Sequence, residues 1–212
     1  MTRILSVVST VGIAILLGLT WWAGTDSWPF GAKSDDKYAQ CRTSTVVGGA
    51  GSLGGALELV DASGQTVTDK DIFTEPTLLY FGYTFCPDVC PMDTVRNAEA
   101  VDLLAEQGYV ATPAFISIDP ERDTPEVVGE FAEAVHPKMI GLTGSLEQIK
   151  AASKTYRTYY NKQDAEDEYY LVDHSTMTYL VMPNEGYVEF FRRDVPPESM
   201  AKTVACFMDR AS

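Results

Sequence analysis

Apolar and polar positions divide the chain into three regimes. Residues 4–24 carry no charge, and residues 4–19 are almost wholly apolar or small. At ~1.5 Å per residue, such a stretch spans a ~30 Å hydrocarbon core. Trp21 and Trp22 stand where an interfacial aromatic belt lies, and Arg3 with the N-terminus supplies positive charge on the opposite side. Residues 1–24 therefore predict a transmembrane anchor. The N-terminus would face the cytoplasm, and the bulk would lie in the periplasm beside the inner membrane if the source is bacterial. A cleavable signal peptide is the competing reading, but the apolar region is long for one and Thr20-Trp21-Trp22-Ala23 is a poor small-x-small cleavage site. Either way the remainder is exported. Residues 25–54, rich in Gly, Ser, Asp and Lys, predict a tether and lead-in.

From residue 55 to residue 212 the period alternates between strand and helix. Residues 57–67 predict a hairpin turning at Gly64. Residues 77–83 are a continuous apolar run, as in a strand covered on both faces. After Pro91 comes a helix whose inner face is predicted as Val95, Ala98, Val101 and Leu104, with Arg96, Glu99, Asp102 and Glu106 mostly elsewhere and Gly108 at its end. Residues 112–118 predict a second buried strand. Thr124 caps a helix with Pro125 at its first position, an inner stripe of Val127, Val128, Phe131 and Val135, and a stop at His136-Pro137. A short strand over 139–142 precedes a capping box, Ser145-Leu146-Glu147-Gln148, whose helix is predicted to bury Leu146, Ile149 and Tyr156. Strands over 169–172 and 176–182 flank Asp173-His174-Ser175. Pro183-Asn184-Glu185-Gly186 turns the chain into a strand over 187–192, and Pro196-Pro197 opens a last helix ending near Met208. This order predicts an α/β fold of the thioredoxin-like type: a central mixed sheet flanked by helices, with an added hairpin.

Net charge narrows the partners. The 212 residues carry a formal charge of −14, which argues against nucleic acid, whose phosphates need clustered cations, and against a basic membrane-surface patch. Of the four cysteines, Cys86 and Cys90 stand together, while Cys41 and Cys206 lie far apart. An even count in an exported chain suits an oxidising compartment, and a Cys41–Cys206 disulfide would tie the lead-in to the last helix; two independent thiols are the alternative.

Cys86 and Cys90 follow a buried strand and open a helix. In a first helical turn, residues four apart share a face ~6 Å apart, which fits either a disulfide or two sulfurs on one ion. The helix N-terminus favours thiolate, the nucleophile and the metal ligand. A structural disulfide or two buried cysteines is the plainer reading. The third intervening residue departs from the usual Cys-x-x-Cys redox spacing. His174 sits at a junction that a thioredoxin-like topology brings toward the first helix, where two sulfurs and an imidazole would suit copper or zinc. A lone histidine is more often structural, so spacing leaves its ligation open. Asp88 and Asp173 are candidate acceptors around such a site, although Asp88 also reads as an ordinary helix-start aspartate. His136 reads as a helix cap or surface residue. Met92, Met139, Met177 and Met182 are scattered and read as core packing.

Four motifs together, Phe85-Cys86-Pro87-Asp88-Val89-Cys90-Pro91, the run from Ser117 through Asp119, Arg122 and Asp123 to Pro125, Gly141-Leu142-Thr143-Gly144 and Val172-Asp173-His174-Ser175, resemble the Sco/SenC family. The resemblance runs from about Gly55 to Phe207. It implies a membrane-anchored thioredoxin-fold protein in which Cys86, Cys90 and His174 bind one copper ion, as Cu(I) or Cu(II), and deliver it to the binuclear copper centre of cytochrome c oxidase subunit II. Another copper donor protein would be a further partner. Pro183-Asn184-Glu185-Gly186 departs from the family's usual turn, and Cys41 and Cys206 are outside its general pattern. Two other functions use the same dithiol: a thiol–disulfide reductase that keeps the acceptor cysteines reduced, and a redox or copper sensor. A peroxidase lacks a separate peroxidatic cysteine with a nearby arginine in the strand-to-helix corner.

Overall fold

The computed structural model describes residues 36–44, 53–164 and 169–211. The stretch expected to anchor the chain, residues 1–24, lies outside them, and among the described residues no helix is long and apolar enough to cross a membrane. The described residues from Tyr38 onward form one compact unit.

A hairpin of β1 (Glu58–Asp61) and β2 (Thr66–Thr68) leads through a short helix α1 (Asp69–Ile72) into β3 (Thr77–Gly82). Then α2 (Val89–Glu106), β4 (Thr112–Ser117), α3 (Pro125–Val135), β5 (Ile140–Thr143) and α4 (Leu146–Tyr156) alternate. The chain continues through β6 (Tyr160–Lys162), β7 (Val172–His174), β8 (Thr178–Met182), β9 (Gly186–Phe191) and α5 (Pro197–Ala211). Seven strands form one sheet in the order β2-β1-β5-β4-β3-β8-β9. β3, β4 and β5 run parallel, with Leu79 opposite Ala114 and Phe115 opposite Gly141, while β8 is antiparallel to β3. The parallel centre explains why β3 is buried at every position.

Alternating side chains feed two apolar clusters. One gathers Leu78, Leu180 and Val188 of the sheet with Val101 and Leu104 of α2 and Met200, Val204 and Phe207 of α5. The other gathers Leu79, Phe81 and Phe115 with Val128 of α3 and Ile149 and Tyr156 of α4. The central mixed sheet between helices is thus the expected α/β arrangement, and three details differ from it.

First, β7 does not extend the main sheet. It pairs only with β6, placing His174 opposite Tyr160 in a separate two-stranded ribbon. The β6 segment is polar and short, so no periodicity marked it. Second, the inner face of α2 holds Ala98, Val101 and Leu104 as expected but departs from the apolar stripe in its first turns. Val95 is exposed, whereas Asp93, Thr94, Arg96 and Asn97 are buried. The buried series Cys90, Thr94, Asn97, Val101, Leu104 keeps helical spacing, but its first half is polar, with Thr94 bonded to the Cys90 carbonyl and Asn97 to Thr178 of β8. Third, Leu146 is largely exposed, since it lies in the first turn of α4 while Ile149 and Tyr156 carry the buried face.

The lead-in is packed from residue 38. Tyr38 and Cys41 are buried, the Tyr38 ring lies 4.8 Å from that of Phe207, and Tyr38 Oη donates to Glu185 at 2.5 Å. Cys41 is joined to Cys206 by a disulfide with its Cα atoms 5.7 Å apart. The Glu189 carboxylate of β9 accepts the Thr43 N–H at 2.8 Å. A Cys206→Ser variant is expected to lose about 2–5 kcal/mol of unfolding free energy in a non-reducing denaturant titration, the range for a link closing a long loop. Reductant added to the wild type should produce the same loss, and an unchanged midpoint would assign the cross-link no share in stability.

Candidate metal centre

β3 delivers the chain to the site, and Gly82 makes room for it. A Cβ at Gly82 would stand 2.8 Å from Cys90 Sγ, 2.9 Å from Tyr80 Cε1 and 3.0 Å from Phe115 Cε2. Only a residue without a side chain lets the Cys90 sulfur settle over the end of β3. Beyond it, the buried Asp123 carboxylate accepts the Thr84 N–H at 2.9 Å and the Thr84 hydroxyl at 2.5 Å, and it also accepts the Ser117 hydroxyl. This clamp holds the loop that carries Cys86, and α2 starts three residues later at Val89.

Both cysteines are buried free thiols, Cys90 wholly and Cys86 with a 9% exposed edge toward the rim. The Cys90 N–H donates to Cys86 Sγ at 3.4 Å. Cys90 Sγ lies 3.3 Å from His174 Nε2, and donor atoms of Cys86, Cys90 and His174 all fall within 4.8 Å of one another. His174 Nδ1 is 2.8 Å from the Ser175 carbonyl oxygen. A carbonyl only accepts, so Nδ1 carries the proton and the neutral ring turns its Nε2 lone pair toward the sulfurs. The Tyr80 and Tyr83 rings meet the imidazole edge-on, 6.2 and 5.8 Å away.

The two thiols experience opposite environments. Burial pushes the Cys90 thiol far up, and the neighbouring Cys86 adds to the shift. Burial also opposes ionisation of Cys86, but N–H groups of Cys90, Asp88 and Val89 together with the Cys90 thiol outweigh it and hold Cys86 below the ordinary thiol range. Burial lowers the His174 pKa, against smaller opposing effects of the Ser175 carbonyl, Asp93 and Asp173. Two soft sulfurs and a neutral imidazole converging on one point fit copper(I) or zinc; they suit neither magnesium nor calcium.

The remaining candidates stand further off. Asp88 is exposed at the N-cap of α2 and makes no side-chain cap bond, so its contribution to Cys86 comes from its backbone. The Asp173 carboxylate is exposed and accepts from Gln163 Nε2 at 2.8 Å, not from the His174 ring. His136 caps α3, with Nε2 3.2 Å from Asp102 Oδ1, and is buried. Met182 is core, as expected, whereas Met92 is exposed because it follows Cys90 and Pro91 onto the outer side of α2. Sequence reasoning passed over Gly82, Tyr80, Asp93 and Asp123. Tyr80 Oη donates to the buried Asp93 carboxylate at 3.0 Å behind Cys90. The signal for Asp123 was its place in the Ser117–Pro125 motif.

The family model described as SCO1/SenC matches residues 47–209. The chain belongs to the SCO1/SenC family. Protein SenC of Rhodobacter capsulatus is 53% identical over 174 residues, covering 82% of this chain and 78% of that protein. The mitochondrial SCO1 homolog 1 of Arabidopsis thaliana is 43% identical over 157 residues, covering 74% of this chain but 47% of that protein. Among solved structures, Arabidopsis thaliana ScoI with copper bound shares 42% identity at a TM-score of 0.71, covering 74% of this chain and 99% of that one. Yeast Sco1 with copper bound shares 32% identity at a TM-score of 0.69, covering 74% and 89%.

Two outcomes test the geometry of this SCO1/SenC site. Alkylation of the reduced full chain, followed by peptide mass mapping, should modify Cys86 well before Cys90. Because its pKa is lowered, the Cys86 rate should reach half its plateau at a pH below that of a free thiol, falling as the pH drops through that point and the thiolate is protonated. Equal rates at the two cysteines would contradict the asymmetry. Gly82→Ala should displace Cys90 Sγ, be destabilising by roughly 1–3 kcal/mol through overpacking, and raise Cys90 alkylation; wild-type reactivity and stability would show that the pocket yields freely.

Proposed function

We propose that this chain is a membrane-anchored copper metallochaperone that helps assemble the binuclear copper centre of cytochrome c oxidase subunit II. The convergence of Cys86, Cys90 and His174 donor atoms within 4.8 Å carries the reading. Three soft or borderline ligands are enough for copper(I) and leave it open to an incoming ligand. Copper is cargo here. Cys90 holds it from the wholly buried side with the half-buried His174 beside it, and Cys86, inclined to ionise, is the ligand an acceptor thiolate replaces first. Copper-bound ScoI structures of Arabidopsis thaliana and Bradyrhizobium japonicum, at 42% and 35% identity, support the choice of metal. The uncharged residues 4–24 following Arg3 support an anchor with the domain exported, in the periplasm beside the inner membrane for a bacterial cell. The Cys41–Cys206 disulfide is in keeping with that compartment. A second copper protein would load the site.

The same dithiol favours a second reading, reduction of the acceptor's cysteines, because the Cys90 N–H on Cys86 Sγ prepares one sulfur to attack. The Cys86 thiolate would attack an acceptor disulfide, forming a mixed disulfide and releasing one acceptor thiolate. Cys90, giving up its proton, would then attack Cys86 Sγ and release the second, leaving this dithiol oxidised by two electrons and the acceptor reduced.

Copper analysis of the purified full chain, with Cys86 and Cys90 reduced, decides between them. The wild type should retain one copper per chain through gel filtration, and His174→Ala and Cys90→Ser should lose it. If the wild type retains none while still reducing an acceptor-derived disulfide peptide, the chaperone reading fails and the reductase reading stands.

A further inference from the structure

The histidine of the site rides on an element that the main sheet does not hold. The β6–β7 ribbon shares no hydrogen-bonded ladder with the seven-stranded sheet, and a two-stranded ribbon alone is marginal in water. Something outside the ribbon must fix His174; besides the Tyr80 and Tyr83 rings that meet the imidazole, a polar group converges on Tyr170, two residues before β7. The buried Tyr170 ring has the Arg122 guanidinium carbon 3.6 Å from its centroid and Lys162 Nζ 3.8 Å from it. Tyr170 Oη donates to Asp119 Oδ1 at 2.6 Å, and Asp119 Oδ2 accepts from Arg122 Nε at 2.6 Å. Arg122 Nη1 donates to the Tyr170 carbonyl oxygen at 3.0 Å.

Arg122 also reaches the thiol side. Its guanidinium carbon is 4.8 Å from the Phe85 ring and 5.7 Å from the Tyr83 ring, the residues on either side of Thr84 just before Cys86. One planar cation therefore touches the loop that carries the cysteines and the strand approach that carries the histidine. The cysteine loop has its own anchor, the Asp123 carboxylate on Thr84. The ribbon meets the domain at three places: Val172 and Tyr160 pack against the core, the His174 ring meets Tyr80 and Tyr83, and the polar anchors run through Asp119, Glu121 and Arg122, with Lys162 Nζ on Glu121 Oε2 at 2.5 Å.

We infer that Arg122 is a positioning residue that locks the β6–β7 ribbon onto the cysteine loop through Tyr170, and so decides whether His174 stands in reach of Cys86 and Cys90. The consequence for copper rests on the function proposed above; the placement of His174 does not. Lysine cannot substitute, because the lock needs a flat group that stacks on a ring while donating to a carboxylate and a carbonyl at once. Loss of the lock moves the imidazole and leaves the two thiols where they were.

The chain has two histidines, so histidine-labelled full chain in detergent micelles yields two ring signals, His136 serving as an internal control. In the metal-free wild type the His174 signal should be displaced by the Tyr80 and Tyr83 ring currents. In Arg122→Lys it should move toward the free-histidine position or broaden, with His136 and the alkylation rates of Cys86 and Cys90 unchanged. Tyr170→Phe, which keeps the ring and removes only the Asp119 bond, should shift it part of the way, and it carries the test if Arg122→Lys does not fold. An unmoved His174 signal in the folded variants, or His136 and His174 moving together, overturns the inference. Copper(I) titration of the same samples should weaken by about 10–100-fold in Arg122→Lys, the range for residues that orient a ligand. A wild type that binds no copper while the His174 signal still depends on Arg122 sinks the chaperone reading alone.

Discussion

A contact without any polar group governs the site: the Cys90 sulfur resting on the bare Cα of Gly82. Because β3 ends in a residue with no side chain, Cys90 can be placed behind the strand end, out of water. Burial then disfavours its thiolate, while Cys86, one turn earlier at the rim, is surrounded by helix-start N–H groups that favour its own. Two chemically identical side chains four residues apart acquire different roles from a single packing arrangement. His174 completes it, held neutral by the same burial and aimed by the Ser175 carbonyl.

The polar half of α2 is the counterpart of that contact. Asp93, Thr94, Arg96 and Asn97 are buried just behind the cysteines, where unpaired polar groups would be costly. Apart from Arg96 Nε, they have partners: Tyr80 Oη on Asp93, the Thr94 hydroxyl on the Cys90 carbonyl at 2.8 Å, the Thr178 hydroxyl on Asn97 Oδ1 at 3.0 Å, and Arg96 on Thr178 Oγ1 at 2.9 Å and the Arg192 carbonyl at 3.2 Å. The bonds reach from α2 to β3, β8 and the loop after β9. They hold the start of α2 in one orientation against the sheet, and an apolar core, which is indifferent to small rotations, would not do this as strictly.

How far this was legible in the sequence depended on whether a residue announced its environment locally. The continuous apolar run of β3, the cap at Thr124 and the capping box at Ser145 were readable because strand burial and helix capping depend on near neighbours. The cysteines were readable from their place at a strand-to-helix corner. The ribbon was not: Tyr160, Asn161 and Lys162 have no alternation to detect, and their pairing with Val172, Asp173 and His174 is a tertiary event. Val95 and Arg96 misled for a related reason. An apolar residue beside a cation suggests which of the two is inside, and here the bonds to Thr178 and Arg192 reversed the choice. The convergence of His174 on the sulfurs lay beyond periodicity: topology made it one option, and the resemblance of four separated motifs made it the expectation.

The bond between Cys41 and Cys206 joins residues separated by 165 positions and makes almost the whole folded region a closed covalent ring. A protease that cuts one exposed loop inside that ring opens it without dividing it. Both fragments stay attached through sulfur, and the Cys86, Cys90 and His174 donors stay on one connected molecule. A chain nicked in this way keeps its full mass and stays a single molecule until the disulfide itself is reduced.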